Sequence, residues 1–342
     1  MRAHGTPLHA PGLLRPLRGL AMSMVLVALS ACGSEPGPPE QFTIPKGASF
    51  RAITDTLQAH GVIANALVFR VLARVRRLDR AVKAGTYRLP RNSRAWDVID
   101  ALEQGDQLLM KVTIPEGLTV LEMAPLVADQ LGVPADSFIV AAQDTAVAHG
   151  IATSLPSLEG VLLPETYLVP QGTTARDFAR IMAEEFDRAW KPEWNARLDT
   201  LGLTRGQVLA LASIVEGEAR VDEERAVIAG VYLNRVRRGM PLQADPTVQY
   251  AIQLRSGERK PRLLNKDYQF PSPYNTYLHP GLPPGPVNSP GLRSIEASLY
   301  PADVPYLFFV AGDDGRHVFS RTYNEHLRAI AQVRRGRGPA PD

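Results

Sequence analysis

Apolar residues recur with a helical period between Thr204 and Ala251, and the rest of the chain is organised around that stretch. Thr204, with Gln207 three residues on, has the form of a capping box, and Val208, Leu211, Ala212, Val215 and Ala219 then mark one buried side of a helix. Asp222 can cap a second helix, with Glu223 and Glu224 in its first turn and Arg235, Arg237 and Arg238 near its end, before Gly239. That order of charge suits the helix dipole, and the glycine suits a left-handed stop. Asp245 followed by Pro246 predicts the start of a third helix. Arg176 to Trp190, Pro192 to Leu203 and Ser289 to Leu299 read as further helices, and Thr322 with Glu325 can box the start of a last one. Tyr306 to Val310 and Arg316 to Phe319, joined through Gly312 to Gly315, predict a hairpin.

Upstream the pattern changes. Short apolar strands end at Ile44-Pro45, Leu89-Pro90 and Ile114-Pro115, and each is followed by a turn and a helical pattern, with Ser49, Ser93 and Thr119 where N-caps belong. The echo is too irregular for a solenoid and points to small αβ modules. Gly85 to Leu89 and Leu108 to Ile114 add strand-like stretches, and Ala135 to Ser157 reads as a helical or loose connector with a domain boundary near Pro156. Pro271 to Pro286 holds too much proline and glycine for a helix or a central strand, so it is a loop. The fold class is therefore α+β.

A chain of 342 residues with 45% apolar composition can build sizeable cores, and two domains are expected. The net charge of +3, with no basic stripe interleaved with aromatics, gives no reason to expect a nucleic-acid partner. Arg70 to Lys83 is a basic cluster, suited to a solvated helix face or to an anionic membrane or wall polymer. At the N-terminus Arg15 and Arg18 precede an apolar run from Leu20 to Leu29 and the tetrad Leu29-Ser-Ala-Cys32. The run is short for a membrane-spanning helix, which needs about 20 residues, and its layout is that of a signal peptide. Residues 1–32 are thus expected to be a lipoprotein-type signal ending in a lipidated Cys32, with 33–40 a linker and 334–342 a basic flexible tail. An uncleaved membrane anchor is the alternative. As the only cysteine, Cys32 has no partner for an intramolecular disulfide. His279, His317 and His326 lack metal-ligand spacing and read as ordinary surface or satisfied histidines, so neither a metal nor an organic cofactor is expected.

Candidate chemistry lies at the acidic corner between the first two central helices. At about 100° per residue, Glu216 and Glu218 fall on opposite flanks of the apolar stripe, so only one can face a given cleft. A glutamate at such a margin is partly desolvated and can stay protonated near neutral pH, as a general acid must; otherwise both are solvated helix-flank charges. Gln243, Asp245 and Thr247 gather polar groups where the third helix begins. In the proline-rich loop, Tyr274, Asn275, Thr276 and Tyr277 offer hydroxyls, an amide and two aromatic faces, a mixture suited to sugar rings.

The run Ala212-Ser-Ile-Val-Glu-Gly-Glu-Ala219, with Asn234-Arg235, Leu242 to Val248 and Tyr274 to Tyr277, resembles the YceG-like family, the endolytic murein lytic transglycosylases called MltG. Glu159-Gly160, Pro164 to Tyr167, Gly281 to Gly285 and Pro305 to Val310 extend the resemblance over most of Gln41 to Ile330. It implies a LysM-like αβ region over 41–155 with affinity for glycan, or a spacer with Tyr87 and Trp96 as its only sugar platforms. After it comes a mixed α/β catalytic domain over 156–333, built around the central helix. The family's acid is the second glutamate of the E-x-E pair, here Glu218. Asn234, Gln243, Asp245, Thr247, Tyr274 and Asn275 would then position the strand, Glu165 and the Thr276-Tyr277 pair would share the cleft, and the proline-rich loop would line it. Implied partners are peptidoglycan glycan strands, a membrane reached through the N-terminal anchor, and peptidoglycan synthases. Two rivals stand beside this reading: a two-carboxylate muramidase using Glu218 with Asp245 or Glu165, and a non-catalytic wall-binding lipoprotein.

Overall fold

A computed structural model describes residues 35–78, 82–144, 146 and 155–336. The signal segment, Cys32 and the end of the basic tail lie outside the described residues. Among the described residues no helix is long and apolar enough to cross a membrane.

The chain divides into two compact units, up to Leu108 and from Leu109 onward. In the first, β1 (Pro39–Ile44) pairs antiparallel with β2 (Gly85–Pro90), and the helices α1 (Phe50–Ala59) and α2 (Ala66–Val75) fill the connection; α3 (Ala95–Gln104) follows. Phe42 lies opposite Tyr87, and Leu57, Phe69, Ile99 and Leu102 close the core around that pair. Ser49 caps α1 as expected, its hydroxyl accepting from the Ala52 N–H. Ser93 does not cap α3, because the helix starts later, after Arg94; its hydroxyl donates to the Pro90 carbonyl instead. Tyr87 is fully buried and donates to the Lys83 carbonyl, so it is no platform for a sugar.

The boundary expected near Pro156 falls inside the second unit. Here β3 (Leu109–Thr113) pairs antiparallel with β4 (Thr166–Pro170), which lies beyond Pro156 in sequence. Between them, α4 (Val120–Leu131) starts in a full capping box of Thr119 and Glu122, and α5 (Ala135–Gln143) packs Phe138 against Phe178 of α6 (Ala175–Ala189). Strand pairing across the expected boundary joins 109–144 to the remainder of the unit. The connector, expected to be helical or loose, is a core helix over its first nine residues.

After α7 (Glu193–Leu201) comes the central helix α8 (Arg205–Glu218), whose Thr204–Gln207 capping box is present as predicted. Every residue from Val208 to Val215 is buried, so the helix is covered all round and not on one side. Val208, Leu209 and Ala212 belong to the core shared with α4, α5 and α6, while Leu211, Ile214 and Val215 belong to a second core with α9 (Arg225–Arg237) and α10 (Asp245–Ser256). A helix between two cores shows a weak amphipathic pattern, because its polar face is missing. The chain ends in α11 (Leu292–Leu299), the hairpin β5 (Phe308–Ala311) and β6 (His317–Ser320), and α12 (Tyr323–Gly336). Asp222 lies in a short 3-10 turn ahead of α9 rather than capping it, its carboxylate taken by Arg225 and Arg293.

Candidate active site

At the C-terminal end of α8 the two glutamates part, as the helical period requires. Glu216 accepts from Arg225 Nη1 at 3.2 Å and from the Gly291 N–H at 3.0 Å, tying α8 to the starts of α9 and α11. Glu218 turns the other way, into a cavity of about 280 Å³ shared with Tyr232, Arg235, Gln243, Asp245 and Tyr277. Gly217 between them is a close-approach position: a Cβ there would meet Pro246 Cγ at 2.6 Å. Its missing side chain lets the start of α10 abut the end of α8, which brings the Asp245 charge close enough to act on Glu218.

The Tyr232 hydroxyl donates to Glu218 Oε1 at 3.1 Å, and its ring is held edge-on by Phe309 with centroids 5.7 Å apart. Burial, and then the Asp245 charge, push the Glu218 carboxyl up to about 7; the Tyr232 hydroxyl and the Arg235 and Arg220 cations pull against them. Arg235 does not neutralise it by ion pairing. Its Nε donates to the Leu307 carbonyl at 2.6 Å and its Nη1 to the Leu242 carbonyl at 2.7 Å, so backbone oxygens occupy these two nitrogens.

Opposite, Asp245 Oδ1 accepts the Tyr277 hydroxyl at 2.7 Å. Asp245 begins α10 as expected, but its side chain is turned to that tyrosine and does not cap the helix. Gln243 adopts φ +51°, a left-handed backbone uncommon for a non-glycine residue. It is held there by its N–H on the Thr276 carbonyl and by the next N–H, of Ala244, on Thr276 Oγ1.

Of the residues singled out from the sequence, Glu218, Gln243, Asp245 and Tyr277 line the cavity. Thr247 and Thr276 lie behind it, buried and 2.9 Å apart, bracing the Gln243 turn. Asn275 is buried and donates to the Tyr268 and Phe270 carbonyls, shaping the loop. Asn234 donates to the Val304 and Tyr306 carbonyls and pins the segment that leads into β5. Tyr274 packs edge-on against Tyr250, with centroids 5.0 Å apart, and is not among the lining residues. Glu165 is not among the lining residues either: it is exposed at the start of β4 and accepts its neighbour's N–H.

Sequence reasoning missed Tyr232, Arg235, Leu242 and the hairpin wall of Phe309, Ala311 and His317, together with His326. Ala311 pairs with His317 and Phe309 with Phe319, so alternate hairpin positions share the face turned to the cavity. That alternation was visible in the sequence; the direction of the face was not. His317, expected to be an ordinary surface or satisfied histidine, is the satisfied kind. It is buried, with Nδ1 2.7 Å from Glu224 Oε2, and since a carboxylate only accepts, Nδ1 carries the proton and Nε2 is left open. His326 stacks on Phe308 at 5.3 Å, and burial together with Arg235 lowers its pKa. Among the described residues no group of His, Cys, Asp and Glu side chains could hold a metal ion.

This arrangement, a protonatable carboxyl oriented by a tyrosine within aromatic and hydroxyl-bearing walls, can deliver a proton to a bound polar substrate. The profile of the YceG-like family matches residues 42–332. An endolytic murein transglycosylase of Bacillus subtilis (strain 168) is 30% identical over 302 residues, covering 84% of this chain and 82% of that protein. One of Streptococcus pneumoniae (D39) is 31% identical over 317 residues, and there the match spans 57% of the longer protein. A crystal structure of a yceG-like protein from Listeria monocytogenes superposes with a TM-score of 0.58 at 30% identity, covering 85% of this chain and 98% of that one. With a match running from the first strand to the last helix, this chain belongs to the YceG-like family.

Proposed function

We propose that this chain is a peptidoglycan lytic transglycosylase that cuts the bond between N-acetylmuramic acid and N-acetylglucosamine without water. The observation that carries the reading is Glu218: a carboxyl raised to about 7, facing a cavity and held by one tyrosine. Its relatives named endolytic murein transglycosylases support the same chemistry. Because the Tyr232 hydroxyl occupies Oε1, the proton resides on Oε2, which gives it to the glycosidic oxygen as the C1–O bond breaks. The resulting carboxylate then takes the proton of the muramic acid's own C6 hydroxyl, whose oxygen closes on C1 and leaves a 1,6-anhydro end. One carboxyl thus serves as acid and then base. Asp245, negatively charged beside Glu218, favours the positive character that develops at the sugar ring.

Asp245 lining the same cavity also favours a second reading, hydrolysis with Asp245 directing water, since two flanking carboxyls are the usual hydrolase design. Mass spectra of products released from purified sacculi separate the two. Anhydro-muramic ends are expected, absent with Glu218→Gln; reducing muramic acid ends would replace this reading with hydrolysis. If neither product forms with the wild type, wall binding alone remains.

Further parts of the same proposal concern placement. The apolar run Leu20 to Leu29 and Cys32 anchor the chain to the membrane on its extracytoplasmic side, where it ends nascent glycan strands beside the synthases. Cys32→Ser is expected to release the protein from membranes. The strand–helix–helix–strand order of the first unit supports a LysM-like role in holding glycan.

A further inference from the structure

Helix α2 is apolar on two faces, and the fold uses only one. Ala66, Phe69 and Ala73 enter the core of the first unit, while Leu67, Val71 and Val75, at i, i+4 and i+8, stand 64%, 60% and 75% exposed along a single line. At about 100° per residue, Arg74 lies about 20° and Arg70 about 60° from Leu67 on one flank of that line. Arg74 and Arg77 are exposed and make no ion pair among the described residues. The acidic groups nearby are taken: Asp55 by Arg70, and Asp100 and Glu103 by Arg76, which also lies 5.7 Å over the ring of the 43% exposed Trp96.

We propose that this face of α2, with Trp96 beside it, docks on the anionic phospholipid surface of the membrane to which the chain is attached. Leu67, Val71 and Val75 enter the boundary between headgroups and acyl chains while Arg74 and Arg77 meet lipid phosphates, the pattern of an interfacial helix. At ten residues α2 is about 15 Å long, which suits lying on a bilayer and not crossing one. Tether length argues for lipid as the occupant. Six residues lie between Cys32 and Pro39, the start of β1, so an anchor at Cys32 keeps β1 within about 25 Å of the surface. A second copy is a poor fit, because three aliphatic side chains fall well short of the roughly 800 Å² per partner of a stable interface. Glycan is a poor fit to an aliphatic line with no aromatic ring in it. The proposal rests on the N-terminal anchoring above, but not on the chemistry at Glu218.

The test uses the full chain with vesicles of phosphatidylcholine, with and without phosphatidylglycerol, carrying brominated acyl chains. Trp190 and Trp194 are buried in the second unit and give a constant background, so changes in emission report Trp96. Quenching is expected to depend on phosphatidylglycerol and to be mostly lost in Leu67→Ser/Val71→Ser/Val75→Ser and in Arg74→Glu/Arg77→Glu. These sites are exposed, and retained circular dichroism and undiminished glycan cleavage would show the fold intact. In Cys32→Ser, where only the tether is gone, the same quenching should persist at higher lipid concentration. Wild-type emission indifferent to phosphatidylglycerol, or unchanged quenching in both variants, overturns the proposal. So does sedimentation showing that the serine variant turns a dimer into a monomer, or soluble glycan altering Trp96 emission where vesicles do not. Glycan cleavage measured on the same samples keeps a failure of the enzymatic reading distinguishable from a failure of this one.

Discussion

Glu159 and Glu218 belong to the same unit, and burial pushes both far above the usual carboxylate range, Glu159 to about 8 and Glu218 to about 7. Their surroundings differ in one respect. Both Glu159 oxygens lie 3.2 Å from the Val120 N–H at the start of α4, and the Tyr250 hydroxyl closes over the carboxyl, which is not among the groups lining the Glu218 cavity. Glu218 gives one oxygen to Tyr232 and opens to a space a sugar linkage can enter. Desolvation alone therefore does not identify a catalytic acid, since the more perturbed of the two is a brace. Access and an uncommitted oxygen distinguish them.

The sharpest way to break this comparison is to neutralise each carboxyl in turn. Glu218→Gln should lower glycan cleavage by about 10²–10⁴-fold, the range of a lost general acid. Glu159→Gln, which can still accept from Val120, should stay within about threefold of wild type. Loss of cleavage in folded Glu159→Gln would reverse the assignment. Stability gives the next largest effect. A carboxyl whose folded pKa is raised holds its proton where the unfolded chain has released it, so stability is greatest below about 4.3 and declines as pH rises through about 7 for Glu218 and about 8 for Glu159. Each contributes at most a few kcal/mol to that decline. Urea unfolding at several pH values should show the slope partly flattened by either glutamine, and more by Glu159→Gln.

Smaller effects sharpen the Glu218 side. Tyr232→Phe removes a donor that stabilises the carboxylate, so the alkaline limb of kcat/KM should move to higher pH, with roughly tenfold slower cleavage from a poorly oriented acid. Asp245→Asn removes a neighbouring negative charge and should displace the same limb the other way, while the anhydro product persists. A shift in the same direction for both variants would mean that the limb does not report Glu218.

Much of the fold was legible because it is local. The Thr204 box, the Thr119 cap, the Asp245-Pro246 start and the 308–320 hairpin arise from residues a few positions apart, and all are present. Ser93 and Asp222 misled for the same reason: a cap residue also suits a turn, and Asp222 had two arginines to satisfy. The Pro156 boundary failed because β3 finds its partner across it. In the site, Thr247, Asn275 and Thr276 were recognised as chemically apt but are spent on backbone and on one another.

By itself the sequence determined that two glutamates leave the end of one helix on opposite sides, for periodicity is a property of neighbouring residues. Family resemblance singled out Glu218, but the tertiary structure alone decided what surrounds it. Tyr232, Asp245 and the β5–β6 wall arrive from three other elements, and burial, the largest influence on that carboxyl, exists only once they have packed.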